Sequence, residues 1–220
     1  MIVPAHRRGA RTEDAVTVIT RPRYEDLDTA ARERWDAEDA AHGMTHMKQT
    51  LLRSLPAFDA LMTWCPLQEA LVPFIGERGT IIVSHAISTT NECLICSLYF
   101  RRALIARGED PSGVPLSPEE EDLAAFGRGI ARDGHADAEV TARLRERLGE
   151  EGLVLLVAFA GIMVATNIVN EALGFDPDSG VLQLFAGADD AFAGFPAAQR
   201  SQATERSQDA EHPHETKDAA

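Results

Sequence analysis

The sequence of 220 residues predicts an all-α, single-domain helical bundle. Three observations lead there. Apolar faces recur at helical spacing, and no segment shows the strict alternation of a strand. Helix caps and breakers punctuate the chain at intervals of about one helix. A hydrophobic content of 45% without an internal repeat supports one sizeable core and calls for no second domain.

Residues 1–18 mix charges with Pro4 and Gly9 and carry few large apolar groups, which predicts a disordered arm before a domain spanning 19–186. Asp28 is the N-cap of a charged helix over Thr29 to Ala41, pinned by Trp35 and ended by Gly43. Met44 to Arg53 reads as the next helix. Ser54 and Pro56 start another through Trp64, which Pro66 stops before a short apolar segment from Leu67 to Ile75. After Gly76, the segment Glu77 to Ser88 has an apolar face with Ser84 and His85 embedded in it, and Thr89, Thr90 and Asn91 break the helix. The next helix opens on Cys93 and Cys96 and runs to Ala106, with Arg107 as C-terminal cation and Gly108 as stop.

Ser117-Pro118-Glu119-Glu120 spells a capping box with proline at the first helical position, opening a helix to about Asp133. A further helix covers Ala138 to Leu148, and an apolar one runs from about Glu151 to Leu173 with Gly174 as its cap. The longest apolar run, Leu153 to Ala165, is shorter than the ~20 residues of a membrane span. It reads as a helix buried at the centre of a bundle or at a subunit interface, and the expectation is a homo-oligomer. From Gly187 the composition turns to Ala, Gln, Ser, Glu and Asp, predicting a disordered acidic tail over 187–220, with Phe192 and Phe195 docking before it starts and His212 and His214 solvated within it.

The net charge of −14, with no basic stripe interleaved with aromatics, argues against nucleic acid or an anionic membrane as partner. Three cysteines without a secretory signal fit a reducing compartment, and the cytoplasm is the expected location.

The run Thr89-Thr90-Asn91-Glu92-Cys93-Leu94-Ile95-Cys96 points most directly at chemistry. Two thiols separated by two residues at a helix start can close a small disulfide ring, and helix N-terminal amides favour the thiolate. The same spacing also serves zinc, and buried cysteines also pack as small hydrophobes. Zinc needs four ligands, whereas the only other cysteine is Cys65 and histidines such as His46 or His85 would have to come from elsewhere in the fold. Redox chemistry therefore ranks first, inert packing second and metal third. No metal and no organic cofactor are expected.

The order of these parts resembles the carboxymuconolactone decarboxylase family, in its alkylhydroperoxidase D-like branch. The residues that carry the resemblance are Cys93 and Cys96 after a helix, Leu116 to Glu121 opening the next, and the final Leu153 to Leu173 segment with Asn167 and Asn170. Arg23 to Leu27 and Met44 to Lys48 are in keeping with it. The resemblance implies an all-α fold that assembles as a dimer, trimer or hexamer. It also implies a thiol peroxidase: Cys96 is the peroxidatic thiol, Cys93 resolves the sulfenic acid, and an external thiol or protein reductant resets the disulfide.

The family pattern places a glutamate twelve residues before the first cysteine and a histidine four after the second, and here those positions are Ile81 and Phe100. Neither can relay a proton. His85, four residues after Ile81, is a substitute base or a space-filling neutral histidine. Glu92 is a candidate base whose charge would raise a neighbouring thiol's pKa, so a helix-start role is favoured. Phe100 shares the face of the cysteines and dries the pocket or fills the core, and Tyr99 donates a hydrogen bond to thiolate or peroxide or packs at an interface. Arg101 and Arg102 lower a thiol pKa if they fold back, or stay solvated. Asn167 and Asn170 should each find a partner, since an unpaired buried amide costs roughly 1–3 kcal/mol. Cys65 reads as a packed thiol.

The leading expectation is a thiol-dependent hydroperoxide reductase with an altered proton relay. Its rival is a helical oligomer that acts as redox sensor or scaffold. Lactone-acid decarboxylation, which uses no CxxC, ranks last because no arginine and histidine constellation for it is legible.

Overall fold

The structure is a computed structural model that describes residues 19–109, 115–175, 177, 178 and 181. The expected arm over 1–18 and the tail over 187–220, with Phe192, Phe195, His212 and His214, lie outside the described residues. Every regular element described is helical and no strand is present among the described residues. After a 3-10 turn at Tyr24–Asp26 come α1 (Thr29–His42), α2 (His46–Leu51), α3 (Leu55–Met62), α4 (Trp64–Thr90), α5 (Leu94–Ala106), α6 (Pro118–Asp133) and α7 (Ala138–Leu173).

Local chemistry sets most of the boundaries. The Asp28 carboxylate accepts from Ala31 N–H at 2.8 Å and starts α1, and Thr45 does the same for α2 through Lys48 N–H. The Ser117 box is reciprocal: its hydroxyl accepts from Glu120 N–H, and Glu120 Oε2 accepts from Ser117 N–H at 2.8 Å. The other oxygen of Glu120 pairs with Arg78 of α4, so one side chain both caps α6 and ties it to α4. Gly76 (φ 72°, ψ 164°) breaks α4 and Gly149 (φ 71°, ψ −179°) breaks α7, each supplying a left-handed residue that other side chains resist.

Pro66 does not end a helix. It lies in the first turn of α4, where its missing N–H has no intrahelical acceptor to serve, so Trp64 opens α4 instead of closing α3. That shift places Trp64 under α7, where its Nε1 donates to Met163 Sδ and its ring lies 5.9 Å from that of Phe159.

α4 is the central element and packs chiefly on α6 and α7, then on α5. The main core joins Val83 and Ile87 of α4, Phe126 of α6, and Leu156 and Phe159 of α7, and it includes Cys93, Cys96 and Phe100. A second cluster, with Phe58 and Leu61 flanked by Trp35, lies under α1 to α3 against Ile162 and Val169 of α7. Between the two clusters the chain leaves a cavity.

Close approach of α6 to α4 depends on Gly127, where a Cβ would sit 2.9 Å from the Val83 carbonyl oxygen. Backbone cannot yield as a side-chain tip does, so Gly127→Ala is expected to cost about 1–3 kcal/mol in a denaturant melt. An unchanged midpoint would show that α4 and α6 separate without penalty.

Within the single chain α7 is buried along one side. Gly152, Leu156, Phe159 and Met163 are buried, whereas Val154, Val157 and Ile168 are 67%, 48% and 47% exposed along one stripe with Gly161. The helix extends well beyond its apolar run, and by length and composition it is the one helix among the described residues long and apolar enough to cross a bilayer.

Candidate functional site

Cys93 and Cys96 sit at the corner between α4 and α5. The chain leaves α4, turns through Asn91 and Glu92, and Cys93 becomes the N-cap of α5 in an extended conformation. Its N–H donates to the Ser88 carbonyl and its own carbonyl accepts from Ser97 N–H, both at 3.0 Å, so the corner is closed from two sides. Glu92 carries φ 57°, a left-handed conformation that costs an ordinary residue roughly 1–2 kcal/mol. Its side chain faces solvent and makes no described hydrogen bond to either thiol.

Both thiols are reduced and buried, with Cys93 0% and Cys96 6% exposed. They share a thiol–thiol hydrogen bond. From α7, Asn170 Nδ2 donates to Cys96 Sγ at 3.0 Å and lies 4.0 Å from Cys93 Sγ. The Asn170 oxygen, also buried, has no partner. It is an acceptor beside the sulfur that awaits a donor.

The hydrogen bond with Cys93 and the loss of water push the Cys96 thiol well above its ordinary pKa, with Cys93 and Glu171 charge adding to the rise. The Asn170 amide opposes it. At Cys96 the bond with Cys93 and burial work against the thiolate that a helix start favours. Arg101 and Arg102 do not reverse it. Arg101 is 4% exposed and bears electrostatically on His85, while Arg102 stands with its guanidinium 5.0 Å from the Tyr99 ring centre.

Cys96 lines a cavity of about 500 Å³ built from the α1–α2 connection, α2, α3, the start of α4, α5 and α7. Trp64, Phe100 and four of the chain's five methionines, Met44, Met47, Met62 and Met163, supply much of its wall. Cys93 and His85 do not line it. Phe100, 4% exposed, belongs to both core and cavity wall, so the two roles considered for it coincide. Tyr99 stands at the rim, 38% exposed, edge-on to Phe100 at 5.3 Å. Ile81 packs half-buried against the main core.

His85 is placed away from the cavity. Burial, reinforced by the Arg101 charge, lowers its pKa to about 4, and its Nε2 is buried without a hydrogen-bond partner. The ring is therefore neutral near pH 7, and no described hydrogen bond joins it to a thiol. Asn167 also departs from expectation: it is 1% exposed and neither atom of its amide has a partner.

Glu38 and His42, which the sequence does not mark, meet Cys65, which it marks as a packed thiol. They place a carboxylate oxygen, a ring nitrogen and a sulfur within 4.8 Å of one another beside the same cavity. The i,i+4 spacing of Glu38 and His42 was legible, but their meeting with Cys65 required the fold. Lys48 Nζ sits 2.6 Å from Glu38 Oε1, so an ammonium already fills the place a cation would take. Cys65 is held protonated, its pKa raised by burial and by the Glu38 charge.

Neither a protein-family model, nor a curated protein, nor a solved structure matches the chain.

Proposed function

We propose that the protein is a thiol-dependent hydroperoxide reductase of the alkylhydroperoxidase D-like type, cycling a Cys93/Cys96 dithiol and disulfide. One observation carries the reading: Cys96 Sγ lines an apolar cavity while it is hydrogen-bonded to a second thiol and to the Asn170 amide. A hydroperoxide entering the cavity meets the sulfur and can donate its O–H to the free Asn170 oxygen. Sulfur attacks the distal oxygen, the O–O bond breaks, and the thiol proton leaves with the alkoxide as an alcohol. Cys96 is then a sulfenic acid. Cys93 attacks it, the S–S bond forms and water departs. Two thiols are oxidised by one hydroperoxide, and an external thiol must return the two electrons.

Ile81 and Phe100 accept no proton, so the thiol must ionise against burial, and turnover near neutral pH is slow. The raised Cys96 pKa equally favours a second reading, a redox sensor that oxidises once and is reset rarely. The apolar stripe of α7 supports a homo-oligomer, and the dithiol suits the reducing cytoplasm.

Reduced protein treated with one equivalent of cumene hydroperoxide is expected to yield a Cys93–Cys96 disulfide by peptide mass mapping, with Cys65 still alkylatable after unfolding. Continuous turnover with added thiol identifies the enzyme, and a single oxidation without turnover the sensor. Cysteines that stay reduced would remove both.

A further inference from the structure

Given the dithiol cycle proposed above, we infer that its reductant is a low-molecular-weight thiol that enters the cavity and attacks Cys96 Sγ, and not a folded dithiol protein. Thiol–disulfide exchange depends on which sulfur the attacker can reach. Cys93 is 0% exposed and does not line the cavity, so Cys96 is the only sulfur of the pair open to approach. Cys96 is itself 6% exposed, on a cavity whose rim carries Tyr99.

A redox protein carries its nucleophile on its own folded surface. To bring that sulfur to Cys96 it would have to enter the cavity or unfold the first turn of α5, whose corner is held by the hydrogen bonds of Cys93 to Ser88 and Ser97. A small thiol faces neither obstacle, because about 500 Å³ accommodates a whole small molecule. Met44, Met47, Met62 and Met163 make the wall adaptable, since an unbranched thioether shifts rotamer at little cost.

The exchange balances with two equivalents. The first thiol bonds to Cys96 Sγ, the Cys93–Cys96 bond breaks, and Cys93 leaves from the N-cap of α5 and takes up the proton that the attacking thiol gave up. The second attacks the mixed disulfide, releasing the small-molecule disulfide and restoring the Cys96 thiol.

The test starts from full-length protein oxidised with diamide, so that it does not depend on peroxide chemistry. Reduction by cysteine, glutathione and thioredoxin is followed by acid quench and mass spectrometry at equal thiolate concentration. Cysteine is expected to be at least about tenfold faster than thioredoxin, and Cys93→Ser protein treated with cystine should carry its adduct on Cys96. Gln68 lines the cavity as Met62 does, and Met62→Trp and Gln68→Trp should each slow cysteine about tenfold, either sufficing if the other fails to fold. Faster reduction by thioredoxin, or wall variants that leave the cysteine rate unchanged, would overturn the inference while leaving the dithiol cycle intact. Failure of diamide to form the Cys93–Cys96 disulfide would instead remove the cycle, and this inference with it.

Discussion

Asn170→Leu is expected to slow oxidation of Cys96 by cumene hydroperoxide about a hundredfold at pH 7.5. Among the described residues Asn170 works to lower the Cys96 pKa, through the 3.0 Å bond from Nδ2, against the bond with Cys93, burial and the Glu171 charge. Removing a positioned donor from a developing charge in a dry site typically costs 10²–10³ in rate. Its free oxygen also accepts a hydrogen bond from the hydroperoxide O–H in the proposed cycle, so the substitution removes both contacts at once. In the unaltered protein the oxidation rate should climb with pH beyond the ordinary thiol range, because the raised pKa keeps thiolate scarce until then. In the leucine variant that climb should move to still higher pH, a change that a merely structural role for Asn170 would not produce. Stopped-flow oxidation across pH 6–10, with circular dichroism as a check on folding, measures both. Equal rates and equal profiles would leave Asn170 outside the chemistry.

Acid lability centred on His85 is the second large effect. Its folded pKa is depressed to about 4 by burial and by Arg101, against about 6.5 in an unfolded chain. Between those values the unfolded state binds a proton that the folded state refuses. Its contribution to stability is therefore fully present above pH 6.5, falls as pH drops towards 4, and changes no further below that. The difference corresponds to about 3 kcal/mol, which a domain of ordinary stability loses only at risk of unfolding. Carboxylates held low by ion pairs, such as Asp122 beside Arg143, lose their contribution only further down the scale, so the histidine window stands apart. Urea midpoints measured from pH 8 to 4 should fall steeply for the unaltered protein and stay nearly flat for His85→Leu. Parallel curves for the two would show that His85 protonates freely in the folded state.

Most of the helical order was legible in the residues. The caps at Asp28 and Ser117, the break at Gly76 and the stop at Gly174 are local devices, decided within a turn or two by hydrogen bonds and backbone sterics, and each appears in the structure. The helix that opens on the cysteine pair was legible for the same reason. Pro66 was misread because proline stops a helix from the interior yet is welcome in a first turn, and only the position of Trp64 against α7 decides which applies.

The site was legible only in part. Spacing marked Cys93 and Cys96, but it could not place Asn170, 74 residues further on, against Cys96 Sγ. Nor could it show that the sulfur lines a cavity whose walls come from residues as far apart as His42 and Val181. The rise of the thiol pKa follows the same division. A helix terminus is written into the sequence near a cysteine, but the exclusion of water around it is the summed effect of every element packed there. Hydrogen-bond spacing and backbone conformation are properties of neighbours along the chain, while burial, cavities and the balance of charge against desolvation belong to the assembled fold.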